Sequence, residues 1–281
     1  MGVHPGPFFV NLPLALATAL LWGLLAFVVG RLVHRHATID VFWGAGFLVV
    51  YAESLWWSRH ASASSTTPWW HHGSTPRFLV LAFVAAWGLR LSTHLAIRQR
   101  GSKEDSRYVM IMRGAKGRNE TLYALRMIYG LQGLLLWFVS IPLQWVALAS
   151  SFDALIVLGL VVVGIGLFFE TVGDEQLRRF VKNPQNAGTT MNRGLWRYTR
   201  HPNYFGDAVV WCGFYVIASS SPGGVLTILS PLAMIWLLTS LSGKPMLERK
   251  LTKTRQGYEQ YVATTSSFIP RAPKRLSDVE Q

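Results

Sequence analysis

The segment from Ala154 to Val172 reads ALIVLGLVVVGIGLFFETV, and its first charged residue is Glu170. A helix needs roughly 17–25 mostly apolar residues to cross a bilayer, so this stretch predicts a membrane-spanning helix. Six other stretches have a similar length and apolar character. The seven predicted spans are Phe8–Val33, Ile39–Trp57, Phe78–Ile97, Thr121–Ile141, Ala154–Val172, Tyr204–Ser219 and Val225–Leu241. The sequence therefore predicts an all-α polytopic membrane protein, a bundle of seven transmembrane helices.

The composition supports a membrane protein and excludes several other classes. Of the 281 residues, 51% are hydrophobic, only 15% are charged and 12 are Trp. A net charge of +13 would favour nucleic-acid binding in a soluble protein, but a membrane protein carries such charge on its cytoplasmic side, and no nucleic-acid partner is expected. The single cysteine, Cys212, excludes disulfides and thiolate metal sites, and no other metal site is predicted.

The distribution of Lys and Arg predicts the orientation of the chain. Twenty-three of the 27 fall on one side of the predicted spans and only Arg59 and Arg77 on the other, while Arg90 and Arg126 lie inside spans. Because cytoplasmic segments carry the positive excess, we expect the N-terminus outside and the C-terminus in the cytoplasm of a multi-pass cell-membrane protein. Residues 1–270 are expected to form one membrane domain, and residues 271–281 a loose cytoplasmic tail.

Two acids lie in the second predicted span. Asp40 opens it and Glu53 follows thirteen residues later. In a helix that spacing corresponds to about 20 Å along the axis and about 140° around it. One site can therefore hardly use both carboxyl groups directly.

Further polar residues lie in the third and fourth spans, where their burial in lipid is costly and marks function by default. Arg90, His94 and Arg98 repeat every four residues, so they form a stripe on one helix face that requires an anionic partner or a wet cavity. Gln132 lies in the middle of the fourth span. It is suited either to bind a substrate carbonyl or to hold helices together, and both interpretations remain open.

The cytoplasmic segments carry the residues suited to an anionic ligand. Residues 194–207 read GLWRYTRHPNYFGD, and Pro202 suits the first turn of a helix. Arg200 and His201 then gather at a helix N-terminus, which binds phosphate or carboxylate groups. Glycine-rich nucleotide-binding motifs are missing from the sequence. Any nucleotide is therefore expected at helix ends and basic loops on the cytoplasmic side.

Several motifs together resemble the bacterial steroid 5-alpha-reductase-like membrane protein family, of the DUF1295 type. The resemblance runs from the second span to Pro270 in the same order. Its motifs are DVFWG at 40–44, WGLRL at 87–91, EDSRY at 104–108, the helix at 174–180, GLWRYTRHPNYFG at 194–206, and a C-terminal group of Glu248, Tyr258, Tyr261 and FIP at 268–270.

That family is related to the NADPH-dependent membrane reductases of steroids and sterols. The resemblance implies seven helices that enclose NADPH and a lipophilic substrate among the membrane lipids. It also implies hydride transfer to the β-carbon of a double bond conjugated to a ketone, while a donor polarises the carbonyl.

The resemblance also implies cofactor-binding residues. Asp174 and Arg178 match the cofactor-binding helix of the family, and Asn203 matches the Asn that reaches the nicotinamide amide. We expect the other charged and aromatic residues of the motifs and of the third-span stripe to take part in NADPH binding as well. These are Arg90, Arg98, Glu104, Asp105, Arg107, Arg179, Arg197, Tyr198, Arg200, His201, Tyr204, Glu248, Tyr258 and Tyr261.

The resemblance assigns the carbonyl donor to an acid of the second helix. Glu53 is the positional counterpart of that acid, so we expect Glu53 to be the donor and Asp40 to act as a brace on the cofactor side. The other catalytic candidates are Tyr108, His94 and Gln132.

Two other functions remain open. Isoprenylcysteine-type membrane methyltransferases share Arg-His-Pro-x-Tyr and a C-terminal Glu, so residues 200–204 and Glu248 would then hold S-adenosylmethionine. The third possibility is a non-catalytic lipid-binding membrane protein.

Overall fold

A computed structural model describes residues 6–61, 75–149, 153–241 and 244–275 of the chain. The described part is 79% helix and contains no strand, so the predicted all-α class is confirmed. The helices group into two compact units. The first comprises Met1–Ile156 with Ile217–Ser230, and the second comprises Val157–Val216 with Pro231–Gln281.

The first three predicted spans are helices, and their ends lie within four residues of the predicted ones. They are α1 (Gly6–Leu32), α2 (Thr38–Ala61) and α3 (Thr75–Gln99). A short helix that the sequence did not indicate, α4 (Ser106–Arg113), follows α3. Asp105 caps α4, because its carboxylate accepts the backbone N–H of Arg107.

The fourth predicted span consists of three consecutive helical stretches. They are α5 (Glu120–Ala124), a π-helical stretch (Leu125–Gly130) and α6 (Leu131–Val139). Helix α6 ends at Val139, with Ser140 as its C-cap, and α7 (Ile141–Ala149) begins just before Pro142. Pro142 accounts for the break, because Pro has no N–H for the helical hydrogen-bond ladder.

The rest of the described chain contains five more α-helices, a second π-helical stretch and short 3₁₀ turns. The elements are α8 (Ala154–Lys182), 3₁₀ turns at Pro184–Asn186, Gly194–Arg197 and Gly224–Ile228, α9 (Pro202–Ala218), α10 (Leu229–Trp236), the π-helical stretch Leu237–Leu241, α11 (Lys244–Thr254) and α12 (Tyr258–Thr264). Helix α9 begins at Pro202, as its sequence predicted.

Five of these helical stretches are long and apolar enough to cross a membrane. They are Gly6–Leu32, Thr38–His60, Pro76–Gln99, Glu120–Val139 and Ala154–Lys182. The sixth predicted span is the 17-residue α9, and the seventh is the apolar stretch Gly224–Ser240, so both are shorter than these five. The structure thus supports several membrane-spanning helices, while the count of seven, the orientation and the single domain over 1–270 remain predictions.

The tail expected over residues 271–281 is described only as far as Arg275, and residues 276–281 lie outside the described part. Two backbone bonds hold its beginning. The N–H of Arg271 donates to the carbonyl oxygen of Tyr198 at 2.9 Å, and that of Lys274 donates to Thr264 at 2.9 Å. The loose tail over residues 271–281 remains a prediction.

Two glycines allow the backbones of α2 and α3 to come into direct contact. A Cβ atom added at Gly44 would lie 2.2 Å from the carbonyl oxygen of Gly88, and one added at Gly88 would lie 2.3 Å from that of Gly44. The backbone N–H of Ala45 also donates to the hydroxyl of Ser92 across the same contact, at 3.0 Å. The glycines of the DVFWG and WGLRL motifs therefore serve helix packing.

A second close contact joins α8 and α9. A Cβ atom at Gly166 would lie 2.6 Å from the carbonyl oxygen of Gly206, and one at Gly206 would lie 2.4 Å from the backbone nitrogen of Glu170. Gly206 closes the motif that begins at Gly194, so part of that motif also serves packing.

Candidate functional site

Glu104 joins the start of α4 to the start of α2. Its carboxylate accepts three backbone N–H groups, those of His36 at 2.5 Å, Ala37 at 3.0 Å and Asp105 at 2.9 Å. An acid suits this place, because the N-terminus of a helix carries unsatisfied N–H groups and partial positive charge. Glu104 thereby holds the EDSRY motif against the DVFWG motif.

A chain of hydrogen bonds then crosses the first unit. The indole N–H of Trp43 donates to Oε1 of Gln132, the Nε2 of Gln132 donates to the Tyr108 hydroxyl at 3.0 Å, and that hydroxyl donates to Oδ1 of Asp40 at 2.5 Å. An indole nitrogen is only a donor, so it fixes the orientation of the Gln132 amide. The hydroxyl hydrogen of Tyr108 is therefore directed to Asp40. We call these four residues the Tyr108 chain.

Arg107 completes the chain on the side of Asp40. Its Nη2 donates to Oδ2 of Asp40 at 2.8 Å and to Oδ2 of Asp105 at 3.0 Å, and its Nε donates to Oδ1 of Asp105 at 3.1 Å. Burial alone would raise the pKa of Asp105, but the hydrogen bonds from Arg107 outweigh it and lower that pKa. One guanidinium group thus donates hydrogen bonds to both carboxyl groups.

Tyr108 is a buried phenol beside a carboxylate, with 2% of its surface exposed. Burial, and then the charge of Asp40, raise the pKa of Tyr108 well above its ordinary value. The group is therefore neutral at physiological pH and suited to donate a proton or a hydrogen bond.

A narrow apolar crevice of about 10 Å³, partly open to the surroundings, lies beside the Tyr108 chain. Gln132 and Trp43 belong to both, and the polar side-chain groups of the lining are the Gln132 amide and the indole N–H groups of Trp22 and Trp43. Its lining residues are Ala19, Trp22, Gly23, Ile39, Phe42, Trp43, Gln132, Gly133 and Leu136. The lining is chemically suited to an apolar group that carries one carbonyl, while the volume of the crevice corresponds to about one water molecule.

The structure does not bring Glu53 to the Tyr108 chain. Its half-buried carboxylate lies 3.4 Å from the hydroxyl of Ser54, and Glu53 is about 20 Å from Asp40 along α2. On α3, Arg90 and His94 are half-buried and Arg98 is exposed. No observation tests the predicted role of Glu53 as carbonyl donor or of these three residues in cofactor or substrate binding.

In the second unit, Arg200 ties the start of α9 to the C-terminal segment. Its guanidinium donates to Glu248 at 3.0 and 3.4 Å and to the carbonyl oxygens of Val262 at 3.0 Å and Thr265 at 2.8 Å. These contacts occupy four of the five N–H donors of a guanidinium group. The predicted contact of Arg200 with a phosphate remains a prediction, for which one donor is left.

His201 and Glu248 form the centre of this second cluster. Nε2 of His201 lies 2.9 Å from Oε1 of Glu248, and the imidazole stacks on Tyr204 with 5.3 Å between ring centroids. Burial alone would raise the pKa of Glu248, but the hydrogen bonds from His201 and Arg200 outweigh it and lower that pKa to about 2. Glu248 is therefore a stable anion that balances Arg200.

Two buried tyrosines of α12 belong to the same cluster. The hydroxyl of Tyr261 donates to the carbonyl oxygen of Trp196, and the rings of Tyr258 and Tyr261 meet edge to face at 5.9 Å. Burial raises the pKa of Tyr258 to about 12. In the described structure these rings bind the segment before α9 to α12, and their predicted cofactor contacts are untested.

The remaining predicted cofactor residues lie on α8, on α9 and in the turn before α9. Nδ2 of Asn203 donates to Asp174 at 3.0 Å, and Glu175 accepts from Arg178 at 2.6 Å and from Arg179 at 2.5 Å. Tyr198 is 44% exposed, and Arg197 is exposed as well. Exposed guanidinium groups are thus present in this unit, and their role in NADPH binding remains a prediction.

Sequence reasoning missed two residues of these networks. Trp43 follows Asp40 by three positions, so the two share one face of α2, and that spacing was a usable signal. Glu175 precedes Arg178 by three positions and Arg179 by four, which is the spacing of helical ion pairs.

We expect stability at acidic pH to depend on Glu248. Its pKa is lower in the folded protein than the ordinary value of 4.5, so its contribution is fully present above about pH 4.5 and is lost as the pH falls towards 2. Thermal unfolding of the detergent-solubilised protein between pH 6 and pH 2.5 measures it. Glu248→Gln should lower the midpoint temperature of unfolding at pH 6. That midpoint should then fall less steeply than in the wild type as the pH is lowered.

The matched control is Glu259→Gln, which removes an exposed carboxylate of α12 and should leave the pH profile of the wild type. An unchanged profile in Glu248→Gln would show that the cluster around Arg200 adds no stability through this charge.

Comparison with known proteins gives the family of the chain. Neither the curated proteins nor the solved structures contain a match to it. Among protein-family models, the one described as "Protein of unknown function (DUF1295)" matches residues 26–265, which include the Tyr108 chain and the cluster around Arg200. Because this match covers most of the sequence, the chain belongs to the DUF1295 family.

Proposed function

We propose that the protein is a membrane-embedded reductase that uses NADPH to reduce the conjugated carbon–carbon double bond of a lipid-like enone. The observation that carries this proposal is the Tyr108 chain beside an apolar crevice. A neutral phenol, directed by an amide and a carboxylate, is the donor that an enone carbonyl requires. The relation to steroid and sterol reductases is part of the proposal, because the family description names no function.

The described residues also fit the charge of NADPH. The side chains of Arg178 and Arg179 are 48% and 76% exposed, so their guanidinium groups can meet phosphate oxygens. Asn203, at the first turn of α9, carries an amide suited to the nicotinamide carboxamide. When bound, NADPH supplies the hydride for the β-carbon of the enone.

In the proposed reaction, residues of the first unit donate and stabilise the proton that the substrate carbonyl requires. The hydroxyl of Tyr108 turns from Asp40 to the substrate carbonyl and stabilises the negative charge that develops on its oxygen. The amide of Gln132 donates to the phenol oxygen and so stabilises it as its proton is given up. Asp40, held by Arg107, positions the hydroxyl. The enol that forms takes a proton on its α-carbon from a water molecule, which leaves as hydroxide, and returns its oxygen-bound proton to the Tyr108 phenolate, so that the product is the saturated ketone. In this proposal Tyr108 takes the role that the sequence assigned to Glu53.

Ligand-dependent stability tests the cofactor. A ligand of the native state at 100 times its Kd adds about 2.7 kcal/mol, so NADPH should raise the unfolding temperature of the purified protein. Arg179→Gln should weaken this shift, whereas Arg249→Gln, which removes an exposed cation of α11, should not.

The same titration separates the alternatives. A shift with S-adenosylmethionine but not with NADPH or NADH would establish the methyltransferase class and overturn the proposal. No shift with any of the three ligands would favour the non-catalytic lipid-binding protein.

A further inference from the structure

The segment between α3 and α5 connects two candidate membrane spans, since one ends at Gln99 and the next begins at Glu120. Helix α4 has two different faces there. Tyr108 is buried, and Ile111 and Met112 pack against the buried cluster of the first unit. Val109 and Met110 are 44% and 56% exposed, so the other face of α4 presents apolar side chains outward.

Three cations lie at the end of α4 and in the turn that follows it. Arg113, Lys116 and Arg118 are all exposed. Residues 109–119 contain these three cations and no acid. An apolar patch bordered by Lys and Arg suits the boundary between acyl chains and headgroups, where the cations meet phosphate. We call Val109, Met110, Arg113, Lys116 and Arg118 the α4 surface.

We propose that the α4 surface binds the anionic phospholipid headgroups of the membrane that the protein spans. Val109 and Met110 enter the acyl region, and the three cations bind headgroup phosphates. Charge complementarity selects anionic over zwitterionic lipid, because a cation near an anionic surface gains free energy that a neutral surface does not supply. The inference is independent of the proposed reductase activity.

Binding at this surface also bears on the Tyr108 chain. The same eight-residue helix carries Arg107 and Tyr108 on its inner side, both bonded to Asp40. Lipid that orders the outer face of α4 therefore orders the helix that holds the phenol. Hydrogen exchange of the backbone amides of residues 106–119 should become slower with anionic lipid.

The test uses the full chain in neutral detergent with added phosphatidylglycerol or with phosphatidylcholine of the same acyl chains. We expect phosphatidylglycerol to raise the unfolding temperature more. The variant Arg113→Gln/Lys116→Gln/Arg118→Gln should bind it on the order of 100-fold more weakly, as follows from the typical contribution of each cation. The control Arg249→Gln/Lys253→Gln/Lys274→Gln removes the same charge from exposed positions of the second unit and should keep the difference between the lipids.

Three outcomes would contradict binding of anionic headgroups at the α4 surface. An undiminished preference for phosphatidylglycerol in the α4 variant, or an equal loss in the control, would overturn the proposal. So would an equal shift produced by soluble glycerol phosphate, since that would assign the effect to the phosphate group alone. If the α4 variant does not fold, hydrogen exchange of the wild type decides. Protection of residues 106–119 by phosphatidylglycerol but not by phosphatidylcholine supports the proposal, and equal protection by both contradicts it.

Discussion

Tyr108→Phe should slow reduction of an enone that the wild-type protein accepts by roughly 10²–10⁴-fold, the range for loss of a general acid. The substitution removes one oxygen and leaves the ring, which packs in the buried cluster of the first unit. The hydrogen bonds to Asp40 and from Gln132 are lost together. Single-turnover oxidation of bound NADPH by the enone measures the effect on the chemical step.

The rates of three further variants show whether a slow Tyr108→Phe protein has lost the carbonyl donor. Asp40→Asn should also slow the reaction, because it removes the charge that binds Arg107 and directs the phenol. Tyr123→Phe removes the hydroxyl of a half-buried tyrosine of α5 and should leave the rate unchanged. The third variant is Glu53→Gln. If Glu53→Gln slows the reaction roughly 10²-fold or more and Tyr108→Phe reacts at the normal rate, Glu53 and not Tyr108 is the carbonyl donor.

Gly88→Ala should destabilise the protein by about 3 kcal/mol or more, at the upper end of the usual cost of overpacking. The added methyl group would lie 2.3 Å from the carbonyl oxygen of Gly44, which belongs to a helix backbone and has little room to move. The midpoint of thermal unfolding in detergent, followed by Trp fluorescence, measures the loss. Gly44→Ala should behave in the same way.

Gly164→Ala is the matched control, because a Cβ atom at that helical position meets nothing within 4 Å. Replacing Gly by Ala inside a helix ordinarily stabilises it by roughly 0.5–1 kcal/mol. The two substitutions should therefore shift the unfolding temperature in opposite directions. Equal shifts would contradict the close contact between α2 and α3.

The sequence predicted helices wherever a long apolar stretch had polar ends. Helices α2 and α3 extend the predicted spans by a few residues, because polar side chains such as Thr38 and Thr75 continue the helix beyond its apolar part. The break before Pro142 was predictable from the missing N–H. Helix α4 was not, since its eight residues have no long apolar run and its place depends on packing against the first unit.

The sequence predicted which residues belong to the site, but it did not predict which of them contact each other. Asp40, Arg107, Tyr108 and Gln132 were all candidates, but hydropathy carries no information that joins Asp40 to a tyrosine 68 positions away. The same holds for Arg200 and Glu248, which are 48 positions apart. Partners within one helix, such as Glu175 with Arg178, were within reach of spacing rules.

The π-helical stretch Leu125–Gly130 determines which way the side chains after it point around the axis of the fourth span. A π-turn accommodates one residue more than an α-turn. Deleting one residue from this stretch would restore a regular α-helix and turn the residues on one side of it by about 100° relative to those on the other. The span would remain apolar and long enough for the bilayer, yet Gln132 would face away from Tyr108. A single-residue gap or insertion at this point of a related sequence therefore decides whether its glutamine reaches the phenol.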